Sequence, residues 1–333
     1  MFDFDVVAGA TVRDILSSHR IDILDIVRRT YLDHQDGHTL NPDSYFLRFP
    51  DKPDSRIIAL PAYAGGGVDR AGIKWIASFP ANTRAGIPRA SAVLVLNDYA
   101  TGYPVACLEA AGISAARTAA SAALAAVTLR PGGHSGTTIG VVGGGVIARN
   151  ICDYLEQAGC HPDAYLIHDI DPAAAEALAG HIRDGLGRPA TTTADLGEAL
   201  AADTVVFATT ALEPYVTTPF KPGQLVLNIS LRDLAPEVVL AAANVLDDVE
   251  HCLKANTSPH LAEQASGSRD FVTGTLAQVL RGEAVPDPSA PVIFSPFGLG
   301  VLDVAVGAFV HQQAREAGTA IGIPDFFGET TRW

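Results

Sequence analysis

A glycine-rich loop carries the sharpest chemical signal in the sequence. It spans residues 143–148, with the sequence GGGVIA, between an apolar run at 138–142 and a helical pattern. In the pattern G-x-G-x-x-A, Gly143 permits a tight turn, Gly145 lets the backbone approach a pyrophosphate, and Ala148 allows close helix–strand packing. Amide groups at the start of the next helix face the phosphate charge. The sequence therefore predicts a dinucleotide-binding loop, and the alternative is an ordinary glycine turn.

An acidic residue follows this loop at a distance that favours one cofactor. Asp169 ends the next strand-like run, 24 residues after Gly145, close to the ~20-residue offset of a carboxylate that binds the adenosine ribose. A carboxylate there repels a 2′-phosphate, and residues 170–172 contain no Arg or Lys. The loop also lies mid-chain, behind a separate region, which is more typical of nicotinamide dehydrogenases than of FAD enzymes. We therefore predict NAD as the cofactor.

Four cationic residues precede the loop in strand or turn contexts: Arg48, Lys74, Arg89 and Arg117. The apolar neighbours of Lys74 would desolvate it and lower its pKa, unless the residue lies on an exposed strand face. Arg117 opens an Ala-rich helix of small residues, where a guanidinium suits the binding of carboxylate or phosphate. This region is therefore predicted to bind a small anionic substrate.

Two acidic residues have more than one interpretation. Asp233 follows a predicted strand at 224–229, at the carboxyl edge where open α/β sheets bind ligands. It could instead cap a helix that begins near Pro236. Glu109 follows a strand-like run, and we favour a solvated turn residue over a catalytic acid.

The first 130 residues are predicted to mix short strands with loops, followed by a helix of small residues. The strands are expected at 44–49, 56–60, 73–79, 92–96 and 103–108, and the helix at 114–129. The alternation at 44–49 predicts a half-buried strand. A cluster with Pro and Gly at 130–134, with the sequence RPGGH, marks the predicted domain boundary. A last helix, at about 300–317, is expected to return to this first domain.

Beyond the boundary, strands alternate with helices, which predicts crossover connections and a parallel sheet. The elements are expected at 138–142, 147–158, 164–168, 172–186, 204–208 and 224–229. The predicted fold class is α/β: a Rossmann-type doubly wound parallel sheet at 131–299, plus a mixed α+β domain at 1–130, completed by about 300–333.

Composition narrows the class of protein. The 333 residues include 23 Lys and Arg against 37 Asp and Glu, a formal charge of −14, which opposes binding to nucleic acid or an anionic membrane. No apolar run approaches the ~20 residues that span a bilayer, and the acidic start does not resemble a secretion signal. Four scattered cysteines and ten scattered histidines favour free thiols in a reducing cytosol and no metal site. We expect a cytoplasmic protein.

Several short motifs resemble those of the ornithine cyclodeaminase/mu-crystallin family. They are GIKW at 72–75, FPAN at 79–82, GIP at 86–88, TGYP at 101–104, ARTAAS at 116–121 and NISLRD at 228–233. The spacing from the lysine to the Arg-Thr pair is also similar to that of the family. The resemblance covers nearly the whole chain.

This resemblance implies roles for individual residues. Lys74 would contact the substrate carboxylate and assist proton transfer, and Asp233 would be the acid/base that activates water. Arg48 and Arg117 would bind carboxylate, with Arg117 also close to the cofactor. The dinucleotide would be lined by Gly143, Gly145, Val146, Ile147, Asp169, Thr210 and Ser230. The family is typically homodimeric through the sheets of the first domain, so residues 1–130 would form a substrate-binding and dimerisation domain.

Two departures from the family pattern resemble one branch, the 2,3-diaminopropionate-forming dehydrogenases of siderophore and antibiotic pathways. DLAP at 233–236 replaces the family's Asp-Pro-Gly-Lys run, and Arg89 replaces a small or hydroxyl residue. The segments at 44–49, 57–63 and 294–298 also resemble that branch. The implied activity is oxidation of N-(2-amino-2-carboxyethyl)-L-glutamate by NAD, followed by hydrolysis of the imine to 2-oxoglutarate and 2,3-diaminopropionate.

The same residues are compatible with other functions. Arg89 could select a substrate with several carboxylates, or it could pair with the cofactor phosphates. An ornithine cyclodeaminase or an alanine-type dehydrogenase would use the same hydride and iminium steps, although Arg89 would repel the distal amine of ornithine. A non-catalytic mu-crystallin-like dinucleotide-binding protein needs no paired acid and base such as Asp233 and Lys74. A purely structural Rossmann subunit leaves the cations of the first domain unexplained.

Overall fold

Residues 3–332 are described by the structure, a computed structural model, and they form sixteen strands and eleven α-helices. The strands are β1 (Asp5–Val7), β2 (Thr39–Leu40), β3 (Tyr45–Phe49), β4 (Lys52–Ala64), β5 (Arg70–Ser78), β6 (Ala90–Asp98), β7 (Pro104–Glu109), β8 (Thr138–Val142), β9 (Ala164–His168), β10 (Ala190–Thr192), β11 (Thr204–Phe207), β12 (Leu225–Asn228), β13 (Ala243–Leu246), β14 (Val272–Thr275), β15 (Val292–Ser295) and β16 (Ile321–Gly322). The helices are α1 (Gly9–Ser18), α2 (Arg20–Gln35), α3 (Ala111–Leu129), α4 (Val146–Gln157), α5 (Pro172–Leu186), α6 (Leu196–Leu200), α7 (Pro236–Leu240), α8 (Val249–Cys252), α9 (Ser258–Ser266), α10 (Leu276–Arg281) and α11 (Gly300–Glu316).

The contacts divide the chain into two units. The first unit comprises the residues up to Arg117 together with those from Leu299 onward, and the second comprises Thr118–Gly298. The first boundary differs from the predicted one at 130, because it lies inside α3 rather than at the Pro/Gly cluster that follows the helix. The last helix, α11, belongs to the first unit.

The first unit contains a mixed sheet in the order β16-β1-β7-β6-β5-β4-β2, with β3 paired to β4. Strands β4 to β7 form an antiparallel meander. Helix α11 packs closely on one face of this sheet, because glycines of both the helix and the sheet lie at their contact. A Cβ at Gly300 would lie 3.3 Å from the Leu60 Cβ, and a Cβ at Gly72 would lie 3.3 Å from Val304 of the helix.

The opposite face of this sheet exposes apolar side chains. Tyr45 of β3 is 73% exposed, Trp75 of β5 is 40% exposed and Val93 of β6 is 42% exposed. The register places all three in one cross-strand row, with Leu47 two residues from Tyr45 on the same face. We refer to these four residues as the open face. The predicted half-buried strand at 44–49 is therefore wrong about burial, although the strand itself is present.

The second unit is built on an all-parallel sheet in the order β10-β9-β8-β11-β12-β15-β13-β14. Its first five strands follow the doubly wound order, in which the direction of winding changes between β8 and β11. Strands β11 and β12 are buried along their whole length, as expected where helices cover both faces of a parallel sheet. The prediction of a Rossmann-type sheet is confirmed.

Helices α1 and α2 correct the expectation that only strands and loops precede the Ala-rich helix. Their buried residues recur at four-residue spacing: Val12 and Leu16 in α1, then Ile23, Val27 and Tyr31 in α2. This spacing is the signature of an amphipathic helix. Frequent charged residues between the apolar ones hide it from a search for apolar runs.

Helix α3 is long and apolar enough to cross a membrane by length and composition, contrary to the expectation that the sequence holds no such run. However, 61% of its most apolar window is buried inside the protein. Ala119, Ala120, Ala122 and Ala123 are fully buried. This burial is typical of a core helix in a water-soluble fold.

Candidate functional site

Lys74 is buried on the face of β5 that α11 covers. It lies opposite Leu60 of β4 and Leu94 of β6, and only 1% of its surface is exposed. The alternative of an exposed strand-face residue is therefore wrong. Burial lowers the pKa of Lys74 from 10.5 to about 8, because desolvation penalises the ammonium form.

One buried carboxylate connects two of the cations identified from the sequence. Asp303 of α11 lies with Oδ2 2.6 Å from Lys74 Nζ and with Oδ1 3.3 Å from Arg117 Nε. Lys74 also donates a hydrogen bond to Ser114 Oγ at 3.0 Å. The Asp303 carboxylate raises the pKa of Lys74 and the Arg117 guanidinium lowers it, but both effects are smaller than that of burial. The lysine can thus change protonation near neutral pH.

Asp303 was not identified from the sequence. It is the one acid in the apolar run GLGVLDVAVGAF at 298–309, and it is fully buried. A buried charge needs a partner, so an acid in an apolar helix is a usable signal. The partner, Lys74, is 229 residues away in the sequence and could be found only from the packing of α11 on β5.

Arg48 and Arg89 lie close to a third arginine, Arg56. Arg48 and Arg56 are directly paired across β3 and β4, and Arg56 is paired with Ser78 across β4 and β5. Arg89 Nη1 donates a hydrogen bond to Ser78 Oγ at 2.7 Å. The sequence alone does not distinguish Arg56 from other arginines, because only strand register brings it beside the other two.

Glu109 has a structural role. Its Oε1 accepts a hydrogen bond from the Ala111 amide at 2.6 Å, and its Oε2 accepts one from Gly112 at 3.3 Å. The carboxylate therefore caps the N-terminus of α3, where a negative charge is favourable. This supports neither a catalytic acid nor a solvated turn residue.

In the second unit, the glycine loop follows β8 and precedes α4, as predicted. Gly143 has φ +100, and a Cβ there would lie 2.6 Å from the Ala208 carbonyl oxygen. Gly145 has an ordinary φ of −80, and among residues 3–332, apart from its neighbours along the chain, no atom lies within 4 Å of the position of a Cβ. Neither strain nor packing requires glycine at 145. The residue instead fits a loop whose backbone a pyrophosphate approaches.

The start of α4 has the features of an anion site for this loop. Gly145 is its N-cap and supplies no side-chain cap for the first amide groups. Val146 is exposed and Ile147 is half-buried. The residues present therefore fit the diphosphate of a dinucleotide.

Asp169 lies at the end of β9, next to the loop. Its Oδ2 accepts a hydrogen bond from the Gly144 amide at 2.6 Å, and its Oδ1 accepts one from the Asp171 amide at 2.8 Å. Thr210, also predicted to line the dinucleotide, is exposed in the loop after β11. Because β11 neighbours β8, both residues belong to the edge at which the winding changes direction.

Asp233 is fully buried and held by three hydroxyl groups. Its Oδ1 accepts hydrogen bonds from Thr209 Oγ1 at 2.5 Å and from the Tyr215 hydroxyl at 3.0 Å, and its Oδ2 accepts one from Ser230 Oγ at 2.5 Å. Burial and the neighbouring Asp233 carboxylate raise the pKa of Tyr215, so this phenol remains a donor. The N-cap of α7 is Ala235, so the interpretation of Asp233 as a helix cap is wrong.

Two of these three hydroxyl donors were missed in the sequence. Thr209 and Tyr215 follow the buried strand β11, and polar residues after such a strand are a weak but usable signal. Ser230 was predicted to line the dinucleotide, and its hydroxyl donates to Asp233 in the structure. A role for Ser230 beside the cofactor stays a prediction.

Within residues 3–332, no group of three or more His, Cys, Asp or Glu side chains is placed to hold a metal ion. The four cysteines are free; Cys152, Cys160 and Cys252 are buried, and Cys107 is partly exposed. Burial raises the pKa of Cys160 to about 12. Such thiols stay protonated and unreactive at neutral pH.

Comparison with known proteins identifies the family of this chain independently of the geometry described above. Residues 8–318 match the ornithine cyclodeaminase/mu-crystallin family. The N-((2S)-2-amino-2-carboxyethyl)-L-glutamate dehydrogenase of Staphylococcus aureus is 32% identical over 274 residues, which cover 78% of this chain and 80% of that protein. The nodulation efficiency protein NfeD of Rhizobium meliloti is 32% identical over 304 residues, covering 89% and 91%.

A solved structure shares the fold. An archaeal alanine dehydrogenase dimer with bound NAD superimposes with a TM-score of 0.86 at 23% identity, covering 98% of this chain and all of that one (100%). At this identity the likeness concerns the fold. The family match spans both units and agrees with the motifs around Lys74, Arg117 and Asp233. The chain therefore belongs to the ornithine cyclodeaminase/mu-crystallin family.

Proposed function

We propose that this protein is a cytoplasmic, NAD-dependent dehydrogenase that converts N-(2-amino-2-carboxyethyl)-L-glutamate to 2-oxoglutarate and 2,3-diaminopropionate, for siderophore or antibiotic biosynthesis. The observation that carries the proposal is the buried cluster of Lys74, Arg117 and Asp303. A protein that only binds a dinucleotide has no need of a buried lysine with a lowered pKa. The similarity to the Staphylococcus aureus enzyme supports this choice of substrate.

The first unit would bind the substrate. Arg117 and Lys74 would hold the carboxylate next to the reacting carbon, and Arg48 and Arg89 would hold other carboxylates. The Arg117 guanidinium would supply the positive charge for the carboxylate, and Lys74 in its neutral form would donate a hydrogen bond to it. A substrate with three carboxylates uses more cations than a monocarboxylate amino acid would need.

Proton transfer would begin at the substrate amine. Hydride can leave the α-carbon only after the ammonium has lost a proton, because the nitrogen lone pair forms the iminium bond. Neutral Lys74, with its pKa of about 8, accepts that proton. Water then adds to the iminium carbon while Asp233 accepts a proton from it. The carbinolamine collapses, the proton returns to the departing 2,3-diaminopropionate amine, and 2-oxoglutarate remains.

The second unit would bind NAD, which supplies the hydride acceptor. The amides of Gly145, Val146 and Ile147 would face the pyrophosphate, and Asp169 would accept hydrogen bonds from the adenosine ribose. Gly143 shapes the turn. Thr210 and Ser230 would line the dinucleotide.

A first prediction concerns the choice of cofactor. The unmodified protein should bind NAD more tightly than NADP by ~1 to 3 kcal/mol, because Asp169 would meet the 2′-phosphate. Asp169→Ser should narrow that margin, as measured by titrating NADH and NADPH fluorescence. Asp195→Ser, which removes an exposed acid at the start of α6, is the matched control and should leave the ratio unchanged. Equal affinity of the unmodified protein for both cofactors would show that Asp169 does not face the ribose.

The proposed activity can be tested with one set of assays. The protein is mixed with NAD and N-(2-amino-2-carboxyethyl)-L-glutamate, NADH absorbance is followed, and the products are identified by mass spectrometry. Formation of 2-oxoglutarate and 2,3-diaminopropionate is the expected result. Turnover of L-ornithine to proline, or of L-alanine to pyruvate, in place of the glutamate conjugate would favour the corresponding rival enzyme. NAD binding without turnover of any of these substrates would favour a non-catalytic dinucleotide-binding protein.

We also propose that the protein is a homodimer through the open face of the first unit. Contiguous exposed apolar side chains on a sheet mark an interaction surface. Trp75→Glu should therefore convert the dimer to a monomer, as measured by light scattering after size-exclusion chromatography. Val285→Glu, at an apolar residue that is also exposed but lies in the second unit, is the control. A dimer that survives Trp75→Glu would place the interface elsewhere.

A further inference from the structure

Three arginines of the first unit are aligned by strand register. Arg48 lies directly opposite Arg56, and Arg56 lies directly opposite Ser78. Residues paired in this way point to the same face of a sheet. Arg89 joins the row from the segment before β6, because its Nη1 donates to Ser78 Oγ at 2.7 Å. Arg48, Arg56 and Arg89 are called the arginine row below.

Without a bound anion, the arginine row should lower the stability of the sheet. Like charges directly opposite each other on neighbouring strands destabilise a sheet. Within residues 3–332, none of the three arginines forms an ion pair with an Asp or Glu; Arg48 contacts the Phe46 ring and Arg89 contacts Ser78. By contrast, Arg188 is paired bidentately with Glu156 in the second unit. A row of guanidiniums without acidic partners is suited to an external anion.

The row shares a sheet face with Lys74. Lys74 and Ser78 are four residues apart on β5, so they point to the same side, at a separation of ~13 Å along the strand. Helix α11 begins at Gly300, over Leu60, and Arg56 lies four residues before Leu60 on β4. Within this unit, the helix therefore covers Lys74, whereas Arg56 lies beyond Gly300, the first residue of the helix.

We propose that Arg48, Arg56 and Arg89 form a second anion subsite, which binds the carboxylates farthest from the reacting carbon, with Arg56 at its centre. The ligand class is an amine or keto acid that carries two or three carboxylates. Placing the reacting carbon near Lys74 rests on the proposed function, but binding of a dicarboxylate by the row does not. Burial lowers the pKa of Arg56 and of Arg89, and the neighbouring guanidinium adds to the effect in each case. Bound carboxylate would relieve this repulsion.

Arg56→Gln tests the role of the row in turnover. KM for the glutamate conjugate should rise ~10- to 100-fold with kcat changed far less, because a charge-assisted contact to the substrate is lost. Arg56→Lys should recover part of the loss, since it keeps the charge without the bidentate geometry. The control is Arg13→Gln, which removes an exposed charge from α1 and should leave KM unchanged. An unchanged KM in Arg56→Gln would overturn the proposal.

Two further measurements separate the subsite from a structural role and from the proposed activity. The melting temperature of Arg56→Gln should be equal to or higher than that of the unmodified protein, since a like-charge contact disappears. Calorimetry with glutarate should show at least tenfold weaker binding to Arg56→Gln, whereas butyrate should bind both proteins equally. If glutarate binds through Arg56 but the glutamate conjugate is not turned over, the proposed activity is wrong and the subsite is supported. Equal glutarate affinity in both proteins would remove the subsite.

Discussion

Asp233→Asn should lower kcat by ~10²-fold or more and leave NAD binding nearly intact. The amide has the shape of the carboxylate but cannot accept a proton from the attacking water. The features that we propose to bind the phosphates lie in the glycine loop and at the start of α4, so the substitution leaves them in place. The measurements are steady-state kinetics with the glutamate conjugate and a fluorescence titration with NADH.

Tyr215→Phe provides the matched control for Asp233. It removes one of the three hydroxyl groups that hold the carboxylate but keeps the acid itself. We expect a loss in kcat of about tenfold or less, the effect of one hydrogen bond to a charged group. If Asp233→Asn has the same kcat as the unmodified enzyme, Asp233 has only a structural role. A loss in kcat much larger than tenfold in Tyr215→Phe would show that the Tyr215 hydroxyl takes part in the chemistry.

Asp303→Asn should destabilise the protein and shift its pH dependence. At neutral pH the loss in the free energy of unfolding should be ~3 to 5 kcal/mol, because breaking a buried ion pair leaves a buried charge without compensation. The loss should be smaller at pH 9, since Lys74 is then largely neutral and needs no counterion. Urea unfolding at both pH values measures this difference. Asp14→Asn, at an exposed acid of α1, should show no such effect.

The same substitution has a kinetic readout. If neutral Lys74 is the base, kcat/KM of the unmodified enzyme should rise with pH through the lysine pKa of about 8. The Asp303 carboxylate raises that pKa and Arg117 lowers it, so Asp303→Asn should move the rising limb to lower pH. A limb that stays in place would show that Asp303 supports the fold without acting on the lysine.

The free energy of unfolding of the unmodified protein should depend on pH through the titration of Lys74. Lys74 has a lower pKa in the folded state than its ordinary value of 10.5, so the unfolded chain binds more protons between about pH 8 and 10.5. The contribution of Lys74 to stability therefore becomes more favourable as the pH rises through that window. Lys74→Met should abolish this part of the pH dependence.

Features that depend on neighbouring residues could be predicted from the sequence. The alternation of strands and helices beyond residue 138 indicated the parallel sheet, and the loop 143–148 with Asp169 indicated the sheet edge at which we propose that the dinucleotide binds. The signals are local, because a strand, a turn and a helix start are each encoded within a few residues. Helices α1 and α2 were missed because their buried residues lie among charges, where only the four-residue spacing reveals them.

Features that depend on contacts between distant segments were decided by the tertiary structure alone. Lys74 meets Asp303 because α11 packs on β5, and Arg56 meets Arg48 because of the register between β3 and β4. The sequence by itself determined the residue types, the buried strands and the family motifs. It could not decide which acid would lie beside which base. That choice depends on helix packing and strand register, and a shift of one residue in register would turn Arg56 to the other face of the sheet.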